Sequence, residues 1–440
     1  MEKLVVAKFG GSSLANAEQF NKVKNIVLED KSRKYVVPSA PGKRCSEDYK
    51  ITDLFYLCHA HVQQKIPFND VYRLIEERYL GIVKDLELEL DIEKYLKEVK
   101  ENITNGASAD YTASRGEYLN GLILADFLGF DFVDACELIK FDESGYYDSE
   151  TTDKAIYQVL VKESREKGVV IPGFYGAMPD DEIKTFTRSG SDVSGSIIAH
   201  GVKADLYENW TDVSGFLMTD PRIVENPKPI AKITYKELRE LSYMGASVLH
   251  EDAVFPVLED GIPINIRNTN KPEDDGTLIV GENKSDSIGA ITGIAGRKNF
   301  TVLAIEKTLM NSEIGFGRRV LSVLESHGVS YENTPSGIDT MSVIVDDVQI
   351  KGKLDKIIKE IKRTCNPDSL QAIPNMALIA TVGRGMAQTV GVAARIFGAL
   401  AKESVNIRMI DQGSSEMNII VGVENHEFEK AIRAIYREFE

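Results

Sequence analysis

The sequence predicts an α/β protein whose mainly parallel sheet is covered by helices on both faces, followed by a duplicated β-α-β-β tail. Up to position 280, short apolar segments alternate with longer helical patterns, and this alternation is typical of such a sheet. Beyond a polar stretch that ends near Gly289, the chain repeats itself at a constant offset, so that segment 315–345 aligns with segment 391–421. A length of 440 residues fits two to three domains.

Six strands are predicted in the first part of the chain, from the segments LVVAKF, YVVPSA, FDFVDA, GVVIPGF, ADLYENW and IPINIR. Helices are predicted from AEQFNKVKNIVLED, SRGEYLNGLILADFLG, DKAIYQVLVKESREKG and DVSGSIIAHGV. Ligands of parallel sheets bind at the carboxyl ends of the strands. Polar residues that follow these strands are therefore the candidate site.

The tail contains two copies of one unit, each read as β-α-β-β with a further helix, a split βαβ arrangement. Gly315, Leu324, Val329, Gly337 and Met341 match Gly391, Leu400, Val405, Gly413 and Met417. The copies contain no nucleophile, metal cluster or glycine-rich phosphate turn, which favours binding modules over catalysts. A duplicated structural domain without a ligand is the alternative.

Composition narrows the class of protein. With 68 acidic and 52 basic residues the net charge is −16, which disfavours nucleic acid and anionic membranes as partners. No apolar run approaches the roughly 20 residues of a membrane span, and the first residues lack a signal-peptide pattern. The four cysteines are scattered without a C-x-x-C, which argues against a zinc site. We expect a cytoplasmic protein with no metal ligands of its own.

The first strand runs into "KFGGSS", which places Lys8 beside Gly10 and Gly11. Backbone N–H groups of such a turn can approach phosphate oxygens while the lysine adds positive charge. A tight turn with positive φ at the glycines and a serine cap is the alternative. Neither G-x-x-x-x-G-K-[ST] nor G-x-G-x-x-G follows a strand, so P-loop and dinucleotide sites lose their main support.

Two further motifs are predicted to begin helices. In "SRGEYL", Arg115, Gly116 and Glu117 are expected in the first turn of an amphipathic helix, where a carboxylate also complements the helix dipole. In "RSGSD", Arg188 and Asp192 bring a guanidinium to a helix N-terminus, which suits an anion. An ordinary Ser/Asp cap is the alternative there.

The segment "WTDVSGFLMTDPR" repeats Thr-Asp beside the only tryptophan. Thr211, Asp212, Asp220 and Arg222 suit the base, ribose and phosphates of a nucleotide. Asp212 and Asp220 as turn formers are the alternative.

The order of "KFGGSS", "SRGEYL", "RSGSD", "WTDVSG...TDPR", "MGASVLH" and the doubled tail resembles the aspartate kinase family over the whole chain. The resemblance implies a three-layer α/β/α amino-acid-kinase fold over residues 1–285. It also implies two α+β ferredoxin-like ACT-type regulatory domains over 290–365 and 370–440, between which strands can be exchanged.

The resemblance also implies roles for residues. Lys8 and Asp192 would be catalytic, and Thr52, Glu117, Arg188 and Ser191 would bind the amino-acid substrate. ATP would contact Lys8, Gly10, Gly11, Thr211, Asp212, Asp220, Arg222 and Ser247. An amino-acid effector would contact Met310, Gly315, Phe316, Ser330, Tyr331 and Glu332.

Two positions depart from the family pattern. "LMTDPR" stands where many members have Tyr-Thr-Thr-Asp-Pro-Arg, and Ser247 stands where many have a lysine before "VLH". The insert before Thr52 carries Lys43, Arg44 and Lys50, which offer replacement charge toward phosphates.

The implied reaction uses ATP and Mg²⁺ to phosphorylate the L-aspartate β-carboxylate. The product, 4-phospho-L-aspartate, opens the lysine, threonine and methionine (diaminopimelate) pathway, with feedback by lysine or threonine. A homodimer or homotetramer through the ACT-type domains is expected. The alternatives are a sister kinase acting on glutamate, acetylglutamate or carbamate, and a non-catalytic amino-acid sensor.

Overall fold

Two parts of the chain each build their own sheet. The computed structural model describes residues 3–162, 166–187, 189–246, 249, 251–281 and 289–440. The first unit comprises Met1–Phe216, Pro229–Tyr235 and Val248–Ser285. The second unit comprises Leu217–Lys228, Lys236–Ser247 and Asp286–Glu440. Two short segments that precede Ser285 in the chain therefore belong with the tail.

The first unit is built on an eight-stranded sheet and a separate hairpin. Its strands are β1 (Val5–Phe9), β2 (Arg33–Pro38), β3 (Asp131–Phe132), β4 (Val169–Val170), β5 (Tyr175–Ala177), β6 (Ile183–Thr185), β7 (Leu206–Thr211), β8 (Lys232–Thr234), β9 (Ile264–Asn268) and β10 (Thr277–Val280). The sheet order is β3-β4-β2-β1-β7-β9-β10-β8, and β5 pairs with β6. Within the large sheet only β9 and β10 are antiparallel. The prediction of a mainly parallel sheet is confirmed, and all six predicted strands lie in it.

The helices described up to Leu258 include six that the sequence pattern did not single out, namely α2 to α4, α6, α9 and α10. The helices are α1 (Ala17–Glu29), α2 (Ile51–Gln63), α3 (Asn69–Asp85), α4 (Ile92–Thr104), α5 (Ala109–Leu128), α6 (Ala135–Leu138), α7 (Ser149–Ile156), α8 (Gly190–Gly201), α9 (Tyr235–Tyr243) and α10 (Phe255–Leu258). A π-helical turn, Tyr157–Val161, continues α7.

Helix α5 begins earlier than predicted. Ser108 caps it by accepting the N–H of Tyr111, so Arg115 lies in the second turn and Glu117 in the third rather than in the first. Thirteen of its twenty residues are buried, so the helix is central rather than amphipathic. The predicted start at Arg115 was wrong, and Glu117 is too far along the helix to act as a first-turn acid.

Alternation along β1 directs neighbouring side chains to opposite faces of the sheet. Ala7 and Phe9 pack into a core with Phe20 of α1 and Leu119 of α5. Lys8 lies between them in sequence and therefore points to the other face, where α8 packs. None of the helices in the described part of the chain combines the length and apolar character that a membrane span requires.

The second unit contains a five-stranded antiparallel sheet. Its elements are β11 (Gly293–Glu306), α11 (Phe316–Ser326), β12 (Thr340–Asp346), α12 (Asp347–Ile350), α13 (Leu354–Cys365), β13 (Ser369–Val382), α14 (Val392–Lys402), β14 (Met409–Asp411), β15 (Asn418–Glu424) and α15 (Phe428–Phe439). The order is β12-β11-β13-β15-β14. β13 and α14 begin and end at the repeat positions that match the bounds of β11 and α11, so the repeat is present in the structure. In the first copy, isolated bridges such as Asn333–Ile344 stand where the second copy has β14.

The two long strands each serve two cores. Leu303 and Ile305, late in β11, pack in one core with residues of α11 and α13. Ile294, early in the same strand, packs in the other core with residues of α14 and α15. Strand β13 divides in the opposite order: Ala372 packs against the first core and Ile379 belongs to the second. The division of the tail between positions 365 and 370 stays a proposal.

Candidate active site

Four neighbouring strands of the first unit end at the same edge of its sheet. β1, β2, β7 and β9 pair in parallel, so the residues that follow them lie side by side. Gly10 donates its N–H to the Trp210 carbonyl at 2.9 Å, and Ser39 donates its N–H to the Phe9 carbonyl at 3.0 Å. This edge carries the predicted residues Lys8, Gly10, Gly11 and Thr211.

The glycine pair is needed for the room that it leaves to neighbouring backbone, not for unusual dihedral angles. Gly10 has φ −69°, and neither glycine has a positive φ. A Cβ on Gly11 would lie 2.9 Å from the Ala40 carbonyl oxygen, so only glycine permits this close backbone approach. The cap of α1 is Asn16, which accepts the N–H of Gln19. The alternative of a positive-φ turn with a serine cap is therefore wrong.

Lys8 is held by two side chains from other elements. It is 6% exposed, and its Nζ lies 2.5 Å from Asp192 Oδ1 and 3.5 Å from Asn209 Oδ1. Asn209 donates to the same Asp192 oxygen at 2.8 Å. Ser189, the residue before α8, has φ 45° and makes no side-chain cap bond. Asp192 thus pairs with the lysine, and the alternative of an ordinary helix cap is wrong.

Glu117 is a buried carboxyl group beside the same edge. Burial raises the pKa of Glu117 to about 8, opposed by hydrogen bonding to the Ala40 backbone and by the charges of Arg115 and Lys8. Its Oε2 has no hydrogen-bond partner among the residues that the structure describes. A cationic ligand group at this position would favour the ionised form.

Asn120, one turn further along α5, supports the turn after β2. It is fully buried, and its Nδ2 donates to the Ser39 carbonyl at 2.6 Å. Sequence reasoning missed Asn120 and Asn209. A polar residue inside the buried strand ADLYENW and another inside the buried stretch of α5 were the available signals.

Thr52 and Ser191 lie in the first turns of α2 and α8. Thr52 lies in the first turn of α2, and the Cγ2 of its neighbour Ile51 lies 3.5 Å from where a Cβ on Gly116 would be. Ser191 is buried at the start of α8, and a Cβ on Gly173 would lie 2.8 Å from its Oγ. Gly173 donates its N–H to the Pro38 carbonyl at 3.1 Å, so Ser191 lies near the end of β2.

The predicted nucleotide residues divide between the two units. Thr211 and Asp212 end β7 in the first unit, where the Thr211 hydroxyl donates to Asp212 at 3.2 Å. Asp220 and Arg222 belong to the second unit, where Arg222 NH2 lies 2.6 Å from Asp220 Oδ2. The Arg222 N–H also donates to Asp220, as in an Asx turn. Arg188 and Ser247 lie outside the described residues.

The single tryptophan is a core residue. Trp210 stacks on Phe9 at 5.9 Å between ring centroids, and its Nε1 donates to Glu208 at 2.8 Å. Glu208 is also paired with Arg33 at 2.7 Å. The structure therefore assigns the Trp210 side chain to the core, and only its backbone carbonyl contacts the glycine loop.

The predicted effector residues lie in the second unit. Met310 and Phe316 are buried in the core with α11, and Gly315 precedes that helix with φ 78°. Ser330 and Tyr331 line a groove of about 840 Å³ together with Arg318, Glu325 and Gln349. The Glu332 side chain is 7% exposed, with Oε1 3.9 Å from Arg297 NH1.

Comparisons with known proteins agree with this arrangement. A model described as the amino acid kinase family matches residues 3–268, and one described as an ACT domain matches residues 379–439. Aspartokinase 3 of Bacillus subtilis (strain 168) is 40% identical over 447 residues, which cover 99% of this chain and 98% of the relative. The crystal structure of Clostridium acetobutylicum aspartate kinase is 62% identical, with a TM-score of 0.93 and complete coverage of both chains.

Two structures of E. coli aspartokinase III are also similar, one with aspartate and ADP and one with lysine and aspartate. Each is 25% identical and covers 99% of both chains, with TM-scores of 0.73 and 0.77 respectively. A parallel sheet that ends in a lysine and glycine loop, matched by the family model, defines a member of the amino acid kinase family. Within that family the chain belongs to the aspartate kinases. The resemblance, the fold class and the enzyme class predicted from the sequence are confirmed.

Proposed function

We propose that the protein transfers the γ-phosphoryl group of ATP to the β-carboxylate of L-aspartate, giving ADP and 4-phospho-L-aspartate. This product is the entry compound of the lysine, threonine and methionine pathway. The observation that carries the proposal is Lys8, a buried cation at the glycine loop, held at 2.5 Å by Asp192.

The attacking group needs no general base. A carboxylate with a reference pKa near 4 is already ionised at neutral pH. One carboxylate oxygen forms a bond to the γ-phosphorus as the bond to the β–γ bridging oxygen breaks, and ADP leaves with that electron pair. Catalysis therefore depends on in-line positioning and on neutralising the charge of the transferred group.

Lys8 and the amide of Gly11 would supply that neutralisation, whereas the Gly10 N–H is engaged by the Trp210 carbonyl. The lysine is held in place before substrate binds, so it does not reorganise during the reaction. Asp192 acts on Lys8, since its carboxylate is engaged by Lys8 and Asn209. It orients the ammonium group and accepts no proton.

The substrate's other charged groups face separate side chains. Glu117 would meet the α-ammonium, and its unpartnered Oε2 and raised pKa of about 8 support this role. Arg188 would bind the α-carboxylate by its planar fork. Thr52 and Ser191 would contact the substrate from the first turns of α2 and α8.

Thr211, Asp212, Asp220, Arg222 and Ser247 are proposed to contact ATP. Lys43 and Lys50 would add positive charge toward the phosphates, whereas Arg44 is paired with Asp48. Among the described residues no group of three His, Cys, Asp or Glu side chains is arranged as a metal site. The donors present fit a Mg²⁺ ion held mainly by phosphates and water, which would neutralise phosphate charge.

The first test is the reaction itself. With ATP, Mg²⁺ and hydroxylamine the protein is expected to accumulate aspartyl hydroxamate, because an acyl phosphate reacts with hydroxylamine. Glutamate is expected to give little product, since one added methylene moves the nucleophile out of line. Equal rates with glutamate, acetylglutamate or carbamate would indicate a sister kinase. Tight aspartate binding without turnover would indicate a sensor.

We further propose that lysine, or else threonine, inhibits by binding the tail between the first copies of two subunits in a homodimer or homotetramer. The E. coli relative in complex with lysine and aspartate supports this proposal. Glu332 would bind the effector's ammonium group, and the second copy carries Arg408 at the matching position, which would repel it. The apolar residues Ile314 and Val390, at matching positions of the repeat, are 97% and 101% exposed, which suits contacts between subunits.

Glu332→Ala is expected to raise the lysine concentration needed for half inhibition, while kcat without lysine stays comparable. A coupling of 1–3 kcal/mol corresponds to about 5- to 150-fold in affinity. The measurement is a lysine and threonine titration of the full chain. Asp355→Ala, at an exposed position of α13 outside the groove, is the control. Undiminished inhibition in Glu332→Ala would exclude Glu332.

A further inference from the structure

Arg78 is a buried arginine of α3 that bonds two parts of one loop. Its side chain is 5% exposed, and NH1 donates to the Gly42 carbonyl at 2.8 Å. NH2 of the same guanidinium pairs with the Asp48 carboxylate. The planar fork of arginine suits this double contact, which a lysine ammonium cannot reproduce.

Asp48 closes the loop from the other side. Its carboxylate accepts the N–H and the Nε–H of Arg44, each at 2.9 Å. The hydrogen bond from Arg44, together with the charge of Arg78, holds the pKa of Asp48 well below its ordinary value. The buried charge of Arg78 is thus compensated, and residues 42–48 are held to α3.

Gly42 lies directly on the glycine loop. Its N–H donates to the Gly11 carbonyl at 2.8 Å. A Cβ on Gly42 would lie 2.5 Å from Gly11 C, 2.6 Å from Gly11 O and 2.7 Å from Ser12 N. Because the peptide group is planar and trans, holding the Gly11 carbonyl also sets the direction of the Ser12 N–H.

We propose that Arg78 is a positioning residue for phosphoryl transfer, which holds Gly42 against the glycine loop and so sets the direction of that loop's amide donors. The inference rests on the proposed function. The next residue, Tyr79, donates its hydroxyl to the Gly116 carbonyl at 2.8 Å, beside Glu117. Helix α3 therefore supports both sides of the site without touching substrate.

Arg78→Lys tests the proposal because it keeps the charge and removes the fork. We expect kcat to fall about tenfold, as small displacements of positioned groups do. The ATP dissociation constant, measured by calorimetry, should rise severalfold. Arg73→Ala is the matched control, since Arg73 lies on the same helix with an exposed side chain. A residue that only anchors the fold would lower the unfolding temperature and leave kcat per folded molecule unchanged.

Asp48→Asn gives a second, independent measurement, which also serves if Arg78→Lys does not fold. Asp48→Asn should also lower kcat. The double variant Arg78→Lys/Asp48→Asn should have a kcat no lower than that of the more impaired single variant. Wild-type kcat and ATP affinity in folded Arg78→Lys, or additive effects of the two substitutions, would overturn the proposal. If the wild type binds ATP but does not phosphorylate aspartate, the proposed function is refuted. The ATP affinities of wild type and Arg78→Lys would still test whether Arg78 positions the glycine loop.

Discussion

Lys8→Met is expected to lower kcat by about 10² or more with a modest change in either KM. Methionine keeps the length of the side chain and removes the charge that faces the transferred phosphoryl group. A contact that forms chiefly in the transition state affects kcat rather than ground-state binding. The measurement is steady-state kinetics of hydroxamate formation at saturating ATP and aspartate.

Loss of Lys8 also leaves Asp192 as an unpaired, mostly buried carboxylate, which lowers stability. The double variant Lys8→Met/Asp192→Asn removes both charges, so it should recover unfolding temperature without recovering kcat. Lys97→Met, at an exposed position of α4, controls for the loss of a lysine. A Lys8→Met enzyme within threefold of wild type would refute the role assigned to this residue.

Glu117→Gln is expected to raise the aspartate KM about 10- to 10²-fold at pH 8, because a hydrogen bond to a charged group is lost. In the wild type the pKa of Glu117 is raised to about 8, and an ammonium ligand binds the ionised form. Below pH 8 binding must therefore release a proton. The wild-type aspartate KM should fall about tenfold per unit as pH rises from 6 to 8 and then level off. The variant should show a flat profile, and a flat wild-type profile would contradict the assignment.

Glu117→Gln is expected to weaken aspartate binding but to raise the stability of the fold at high pH. The folded-state pKa of Glu117 lies above its unfolded value of 4.5, so its contribution to stability is complete below that value. The contribution is lost as pH rises through about 8. Glu117→Gln should therefore unfold at a higher temperature than wild type at pH 9, with a smaller difference at pH 5. Glu98→Gln, at an exposed position of α4, should show no such trend.

Strands and repeats were predictable because they rest on local patterns. Short apolar runs identified six strands of the large sheet, and the constant offset between the two copies predicted that the tail contains two equivalent units, as β11 and β13 show. The start of α5 was not predictable in this way. Ser108 and Ser114 are both acceptable caps, and only the hydrogen bond that Ser108 accepts from the N–H of Tyr111 shows that the helix begins at the first.

At the site, sequence order indicated Lys8 and Asp192 but not how they meet. Their contact depends on α8 packing on the face to which Lys8 points, and on Asn209 between them. Arg78 lies on a helix that carries no recognisable motif, and it bonds the backbone carbonyl of Gly42. Because every residue has a backbone carbonyl, residue type does not reveal this contact. Such long-range contacts leave no trace in a single sequence.

The shared strands of the tail have a consequence for synthesis on the ribosome. Ile294 emerges early, yet the core it joins is completed by α14 and α15, whose residues follow those of the entire first core. The chain between equivalent points of β11 and β13 takes roughly 4 to 15 s to translate, during which the first half of β11 has no strand to pair with. In the sequence, the residues of the first core therefore lie between the strand segment that begins the second core and the helices that complete it. Helices α14 and α15 complete a core whose first strand was made before the other core, so a cut between Cys365 and Ser369 would separate Ile294 from the core in which it packs.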